Sequence, residues 1–136
     1  MAEPRHPRGL IDTSVVIDLE LIEPTDLPVE IAVSAITMAE LAAGPHATTD
    51  PAERARRQDR LQRAEATFEP LSVDTAVARA YGRVYAAVGA AGRKARGRRA
   101  VDLFIAATAV AAGLPLYTRN PGDFAGLSEM LEVVAV

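Results

Sequence analysis

Short apolar runs alternate with longer stretches of helical spacing along this whole chain, and that alternation limits the fold more than any other feature. Residues 8–11, 30–34, 70–73, 114–118 and 131–134 read as strands. Between them lie segments with helix signals. Residues 13–22 place Val15, Val16, Leu19 and Ile22 on one side. A helix over residues 37–43 stops at Gly44-Pro45. Asp50-Pro51-Ala52-Glu53 is a strong helix start, with a cap, Pro at the first position and Glu three residues after the cap, and the helix reaches about Phe68. Asp74 caps another helix, whose Val77, Ala80, Tyr81, Val84, Tyr85 and Val88 recur at helical spacing. Residues 89–97 form a Gly- and Arg-rich loop, and residues 102–112 a helix that is apolar nearly all round, hence buried. Strands alternating with helices predict an α/β fold, a parallel sheet with helices on both faces. Ligands of such sheets gather beyond the carboxyl ends of the strands, where strand order reverses.

The chain has 136 residues, enough for one domain with a real core and too few for two. With no cysteine, disulfides, thiol catalysis and Cys-type zinc sites are excluded together. His6 and His46 are the only histidines and have no paired spacing, which argues against a zinc site or a Ser-His-Asp triad. The first residues, Met-Ala-Glu-Pro-Arg-His-Pro-Arg, lead into no apolar run of signal-peptide length. The most apolar stretch, residues 103–112, is far shorter than the roughly 20 residues of a membrane span. No membrane association and a cytoplasmic location are expected.

Net charge is −3, but it is segregated. Residues 93–99 carry Arg93, Lys94, Arg96, Arg98 and Arg99 with no acid, a local +5, and residues 53–63 carry +3, so the remainder holds −11. Five cations in seven residues repel one another unless an anionic partner joins them. The 53–63 arginines read more simply as a solvated helix face.

Four acids then stand out. Asp12 follows Gly9-Leu10-Ile11 and precedes Thr13-Ser14; Glu40 sits in Ile36-Thr37-Met38-Ala39-Glu40-Leu41; Asp102 opens an apolar helix; Asp123 closes Thr118-Arg119-Asn120-Pro121-Gly122-Asp123-Phe124. A carboxylate beside apolar residues is costly to bury without a compensating positive charge. Several in one protein point to a shared hard cation with oxygen ligands, Mg²⁺ or Mn²⁺. Each acid also has a plainer reading. Asp12 is a good helix cap. Thr37-x-x-Glu40 fits a capping box. Asp102 suits the first turn of a helix, and Asn-Pro-Gly-Asp is rich in turn formers. The plain readings weaken jointly, because an α/β fold gathers several of these acids at one crevice.

Taken in order, Leu10-Ile11-Asp12-Thr13-Ser14, residues 34–41, residues 102–107 and residues 118–124 make the chain resemble the PIN-domain ribonucleases, specifically the VapC toxins of bacterial toxin–antitoxin pairs. The resemblance implies a five-stranded parallel sheet in order 3-2-1-4-5 and a Mg²⁺- or Mn²⁺-dependent endoribonuclease. It implies Asp12 and Asp102 as principal ligands, Glu40 as a ligand directly or through water, and Asp123 as the last acid. Asn120 departs from relatives that carry an acid there, so the fourth contact is Asn120 or Asp123. Thr13 and Thr118 are supporting residues. Arg93, Lys94, Arg96, Arg98 and Arg99 would steer the RNA backbone. The partners implied are an RNA substrate, a cognate VapB-type antitoxin and a second copy of the chain. Two rivals remain: a catalytically silent PIN-like scaffold for RNA or protein, and a phospho-acceptor signalling domain. The first is opposed by the intact acid set. The second is opposed by Lys94, the only lysine, which stands in no fitting strand–loop context.

Overall fold

In a computed structural model, which describes residues 5–93 and 97–136, four parallel strands form the sheet. They are β1 (Arg8–Ile11), β2 (Glu30–Ala32), β3 (Leu116–Thr118) and β4 (Val133–Ala135), in the order β2-β1-β3-β4. The helices are α1 (Thr13–Ile17), α2 (Ala35–Ala43), α3 (Pro51–Thr67), α4 (Thr75–Ala90) and α5 (Arg98–Ala112). The expected α/β class and sheet order hold, with one difference. The segment expected as a strand at residues 70–73 contributes only a bridge, Ser34 to Leu71, beside β2. Leu71 donates to Val33 O at 2.9 Å and accepts from Ala35 N at 2.8 Å. The edge of the sheet is therefore a single residue there.

Strand alternation explains why both faces are covered. Side chains at successive positions point to opposite faces, so Leu10, Ala32 and Leu116 join one core while Ile11, Val33 and Tyr117 join the other. The first core is filled by α4 and α5, through Val77, Ala80, Val84, Val88, Leu103 and Ile105. The second is filled from α1, α2 and α3 by Val15, Val16, Leu41 and Ala64, with Ile22 and Leu27 from the loop between β1 and β2. Gly9 is required where β1 passes under Tyr117: a Cβ there would lie 2.6 Å from the Tyr117 ring.

Two further boundaries differ from expectation. The first helix ends at Ile17, after the β-branched run Val15-Val16-Ile17, and a separate 3-10 turn covers Leu19–Leu21. The helix expected to start at Asp102 starts four residues earlier, at Arg98, because Gly97 turns the chain at φ 56, a backbone state that favours glycine. Arg98 and Arg99 are therefore helical rather than part of the loop. Lys94 and Arg96 lie outside the described residues. Among those described, no helix is long and apolar enough to cross a membrane.

Candidate metal and nucleic-acid site

The two central strands bring the first and last motifs together. β1 and β3 pair in parallel, Leu10 opposite Leu116 and Ile11 opposite Tyr117. Asp12 N–H donates to Tyr117 O at 3.0 Å, so Asp12 stands level with Thr118 at the carboxyl end of the sheet. The Ser14 hydroxyl ties the junction. It donates to Asp12 Oδ1 at 2.6 Å and accepts from Arg119 N–H at 3.1 Å. Asp12 also caps α1, accepting from Val15 N–H at 3.1 Å on the same Oδ1. The plain reading of Asp12 is thus correct, yet it engages one carboxylate oxygen only.

The plain readings of Glu40 and Asp102 do not hold. Ser34, not Thr37, caps α2, and Glu40 lies inside that helix. Its Oε1 accepts from the Thr13 hydroxyl at 2.6 Å, a contact from α1 to α2. Asp102 lies beyond the first turn of α5, where no acid stands, so it does not serve the helix dipole. Asp123 sits in the 3-10 turn Pro121–Phe124, as its turn-rich sequence suggests. Asn120 precedes that turn and makes no side-chain cap; its N–H donates to Thr118 Oγ1 at 3.0 Å.

Asp102 feels the charge of the other three acids. Asp102 is half-buried, and its carboxyl is raised from 3.8 to about 6, first by burial and then by the charges of Asp123, Glu40 and Asp12. Arg98, one turn earlier on the same face of α5, opposes the shift. One carboxyl that feels three others identifies a shared crevice. The donor set is oxygen throughout, with Ser14, Thr13 and Asn120 around it, which fits a hard divalent cation and does not fit zinc. Among the described residues, no three acidic or histidine side chains already stand close enough to enclose an ion. A groove of about 400 Å³ between α1 and α3 is lined by none of the four acids.

The basic residues divide into two groups. Arg93 donates to Gly122 O at 3.1 Å and Arg99 to Asp123 O at 3.3 Å, so both grip the turn that carries Asp123. Arg98 and Arg99 occupy the positive end of α5, the end that disfavours cations; Arg98 acts on Asp102 from there. On α3, Arg54 bonds Pro45 O and Thr48 O, Arg57 bonds Gly44 O, and Arg56, Arg57 and Arg63 pair with Glu53, Glu53 and Glu20. Most of that cluster is committed to local structure.

Sequence reasoning read Thr37 as the cap of a capping box and assigned no role to Ser34; both are fully buried. The signal for Ser34 was present: it directly precedes the helix, where a cap belongs. Arg119 was also passed over. It pairs with Asp18 at 3.3 Å beside the same junction.

Comparison with known proteins supplies the remaining context. The family model described as PIN domain matches residues 10–128. The chain is 35% identical over 133 residues to ribonuclease VapC5 of Mycobacterium tuberculosis, covering 94% of this chain and 95% of that one. It is 40% identical over 110 residues to ribonuclease VapC8 of the same species, covering 80% and 96%. A crystal structure of VapBC-5 from Mycobacterium tuberculosis, described as a member of the VapBC family of toxin–antitoxin systems, superimposes with a TM-score of 0.81 at 32% identity, over 96% of this chain and 99% of that one.

Proposed function

The chain belongs to the PIN-domain family, and on that premise we propose that it is a divalent-metal-dependent endoribonuclease, the toxin of a VapBC-type toxin–antitoxin pair. The observation that carries the metal reading is the Asp102 carboxyl, raised to about 6 by burial and by the charges of three further acids. A site of that kind has a use only if a cation joins it. The activity is carried over from the relatives called ribonuclease VapC5 and VapC8. The antitoxin partner is carried over from the VapBC complex that superimposes at a TM-score of 0.81.

Asp12 and Asp102 would hold the cation, Mg²⁺ or Mn²⁺, with Glu40 and Asp123 completing the set and Asn120 offering a neutral amide oxygen. Bound there, a divalent cation would activate water and stabilise charge developing at the scissile phosphate. The chain's own residues do the rest. Asp12 keeps Oδ1 on Ser14 and Val15 and presents Oδ2. Glu40, whose Oε1 accepts from Thr13, would orient water with its carboxylate. Arg98 offsets the repulsion between RNA phosphates and the acids, while Arg93 and Arg99 hold the Asp123 turn in reach. The silent-scaffold reading gives no role to the three acids whose charges raise the Asp102 carboxyl.

RNA cleavage by purified protein tests this. Wild type should cut in millimolar Mg²⁺ or Mn²⁺ and stop in chelator, and Asp12→Asn should be inactive while folded. Cleavage that survives Asp12→Asn under matched metal overturns the assignment.

A further inference from the structure

Behind Glu40 runs a buried line of hydroxyls that the metal reading does not require. Ser34 and Thr37 are fully buried and Thr13 nearly so. Ser34 Oγ accepts from Thr37 N–H at 3.1 Å, as the cap of α2, and lies 3.4 Å from Thr37 Oγ1. Thr37 Oγ1 lies 3.1 Å from Thr13 Oγ1, and Thr13 Oγ1 lies 2.6 Å from Glu40 Oε1.

Proton counting orders this line. An ionised carboxylate only accepts, so the single Thr13 proton goes to Glu40. The 3.1 Å contact between Thr13 and Thr37 must then use the Thr37 proton. With that proton spent, the Thr37–Ser34 contact must use the Ser34 proton, whose oxygen already serves the helix cap. The only consistent order is Ser34 to Thr37 to Thr13 to Glu40, with every donor aimed at the carboxylate. Such a chain polarises along its length, and breaking one link leaves a buried hydroxyl unmatched.

We infer that Thr13 is a positioning residue that holds the Glu40 side chain across the gap between α1 and α2, through a hydroxyl chain anchored in the cap of α2. This rests on the metal-site reading of Glu40 but is carried by different atoms. With Oε1 held by Thr13 at 2.6 Å, the Glu40 carboxylate is tied to α1. Without the Thr13 hydroxyl the carboxylate swings free, and the repulsion from Asp102 drives it outward. The neighbouring Ser14 serves Asp12 in the same way, so two adjacent hydroxyls on one short helix set two acids from different elements.

The test compares Thr13→Val, which deletes the hydroxyl, with Thr13→Ser, which keeps it. Outer partners of metal-binding residues typically change metal affinity or activity by about 10–100-fold. Mn²⁺ affinity by calorimetry, and kcat for RNA cleavage, should fall by about that factor in Thr13→Val with KM for RNA little changed. Thr13→Ser should recover both to within about threefold, which a purely structural loss would not produce. In a Glu40→Ala background, Thr13→Val should cost nothing further, since the residue acts through Glu40. Wild-type Mn²⁺ affinity and kcat in folded Thr13→Val overturn the inference, as does an equal loss in the Glu40→Ala background. NMR of the metal-free protein separates this from the function itself. A Thr13 hydroxyl proton protected from exchange supports the chain even if wild type binds no Mn²⁺ and cuts no RNA, and a freely exchanging one overturns it.

Discussion

Replacing Asp102 with Asn should make the metal-free protein more stable at neutral pH, although it removes a principal candidate ligand. The magnitude follows from the site. The Asp102 carboxyl rises from 3.8 to about 6, through burial first and then the charges of Asp123, Glu40 and Asp12. A group whose folded value is raised contributes stability that is complete below 3.8 and lost as pH climbs through about 6. At about 1.4 kcal/mol per unit, the unscreened cost of ionised Asp102 is about 3 kcal/mol. Asp102 is only half-buried, so solvent screening reduces this to about 1 kcal/mol. For a domain of this size that is roughly 3–5 °C in melting temperature. Asn keeps the shape and cannot ionise. In chelator at pH 8, Asp102→Asn should therefore melt roughly 3–5 °C above wild type, with the gap narrowing below pH 6 and closing near pH 4. Denaturant unfolding at several pH values measures the same difference. Parallel pH–stability curves for the two proteins would refute the reasoning, because they would show that Asp102 carries no burden from the other acids.

Millimolar Mg²⁺ or Mn²⁺ should reverse that order by binding the folded state, raising the melting temperature of wild type more than that of Asp12→Asn; equal curves with and without metal in wild type would count against a shared site. Arg98→Gln should weaken RNA binding, lower the slope of log affinity against log salt by about one, and leave the cleavage position unchanged, measured in an Asp12→Asn background; an unchanged slope removes Arg98 from RNA contact. Gly9→Ala should destabilise the fold by about 1–3 kcal/mol, because its Cβ meets the Tyr117 ring at 2.6 Å, and a wild-type melting temperature would show that the ring moves aside at no cost.

Alternation made a parallel α/β sheet legible in the sequence, with Asp12 and the 120–123 segment each just after a strand; the strand order that sets β1 beside β3 came from the family resemblance. Local chemistry that depends on tertiary neighbours was not legible. Thr37-x-x-Glu40 has the form of a capping box, but the helix starts one turn earlier, capped by Ser34, and Glu40 instead accepts from Thr13 of α1, a tertiary contact no local pattern shows. Asp102 sits at the head of the apolar stretch, yet Gly97 starts the helix before it and puts two arginines in the unfavourable first turn. That arrangement is tolerated because Arg99 donates to Asp123 O and Arg98 lies in the field of the Asp102 carboxyl. The expected strand at 70–73 shrank to the Ser34–Leu71 bridge.

The account stands or falls on whether the four acids take one cation together. Site-resolved NMR of the Asp102 carboxyl against pH, with and without millimolar Mg²⁺, tests that directly. In chelator the carboxyl should titrate near 6. With Mg²⁺ it should ionise well below that, with the Asp12, Glu40 and Asp123 carboxyls responding over the same Mg²⁺ range. An Asp102 titration that Mg²⁺ leaves in place, or a response confined to Asp102 alone, would contradict a shared metal site.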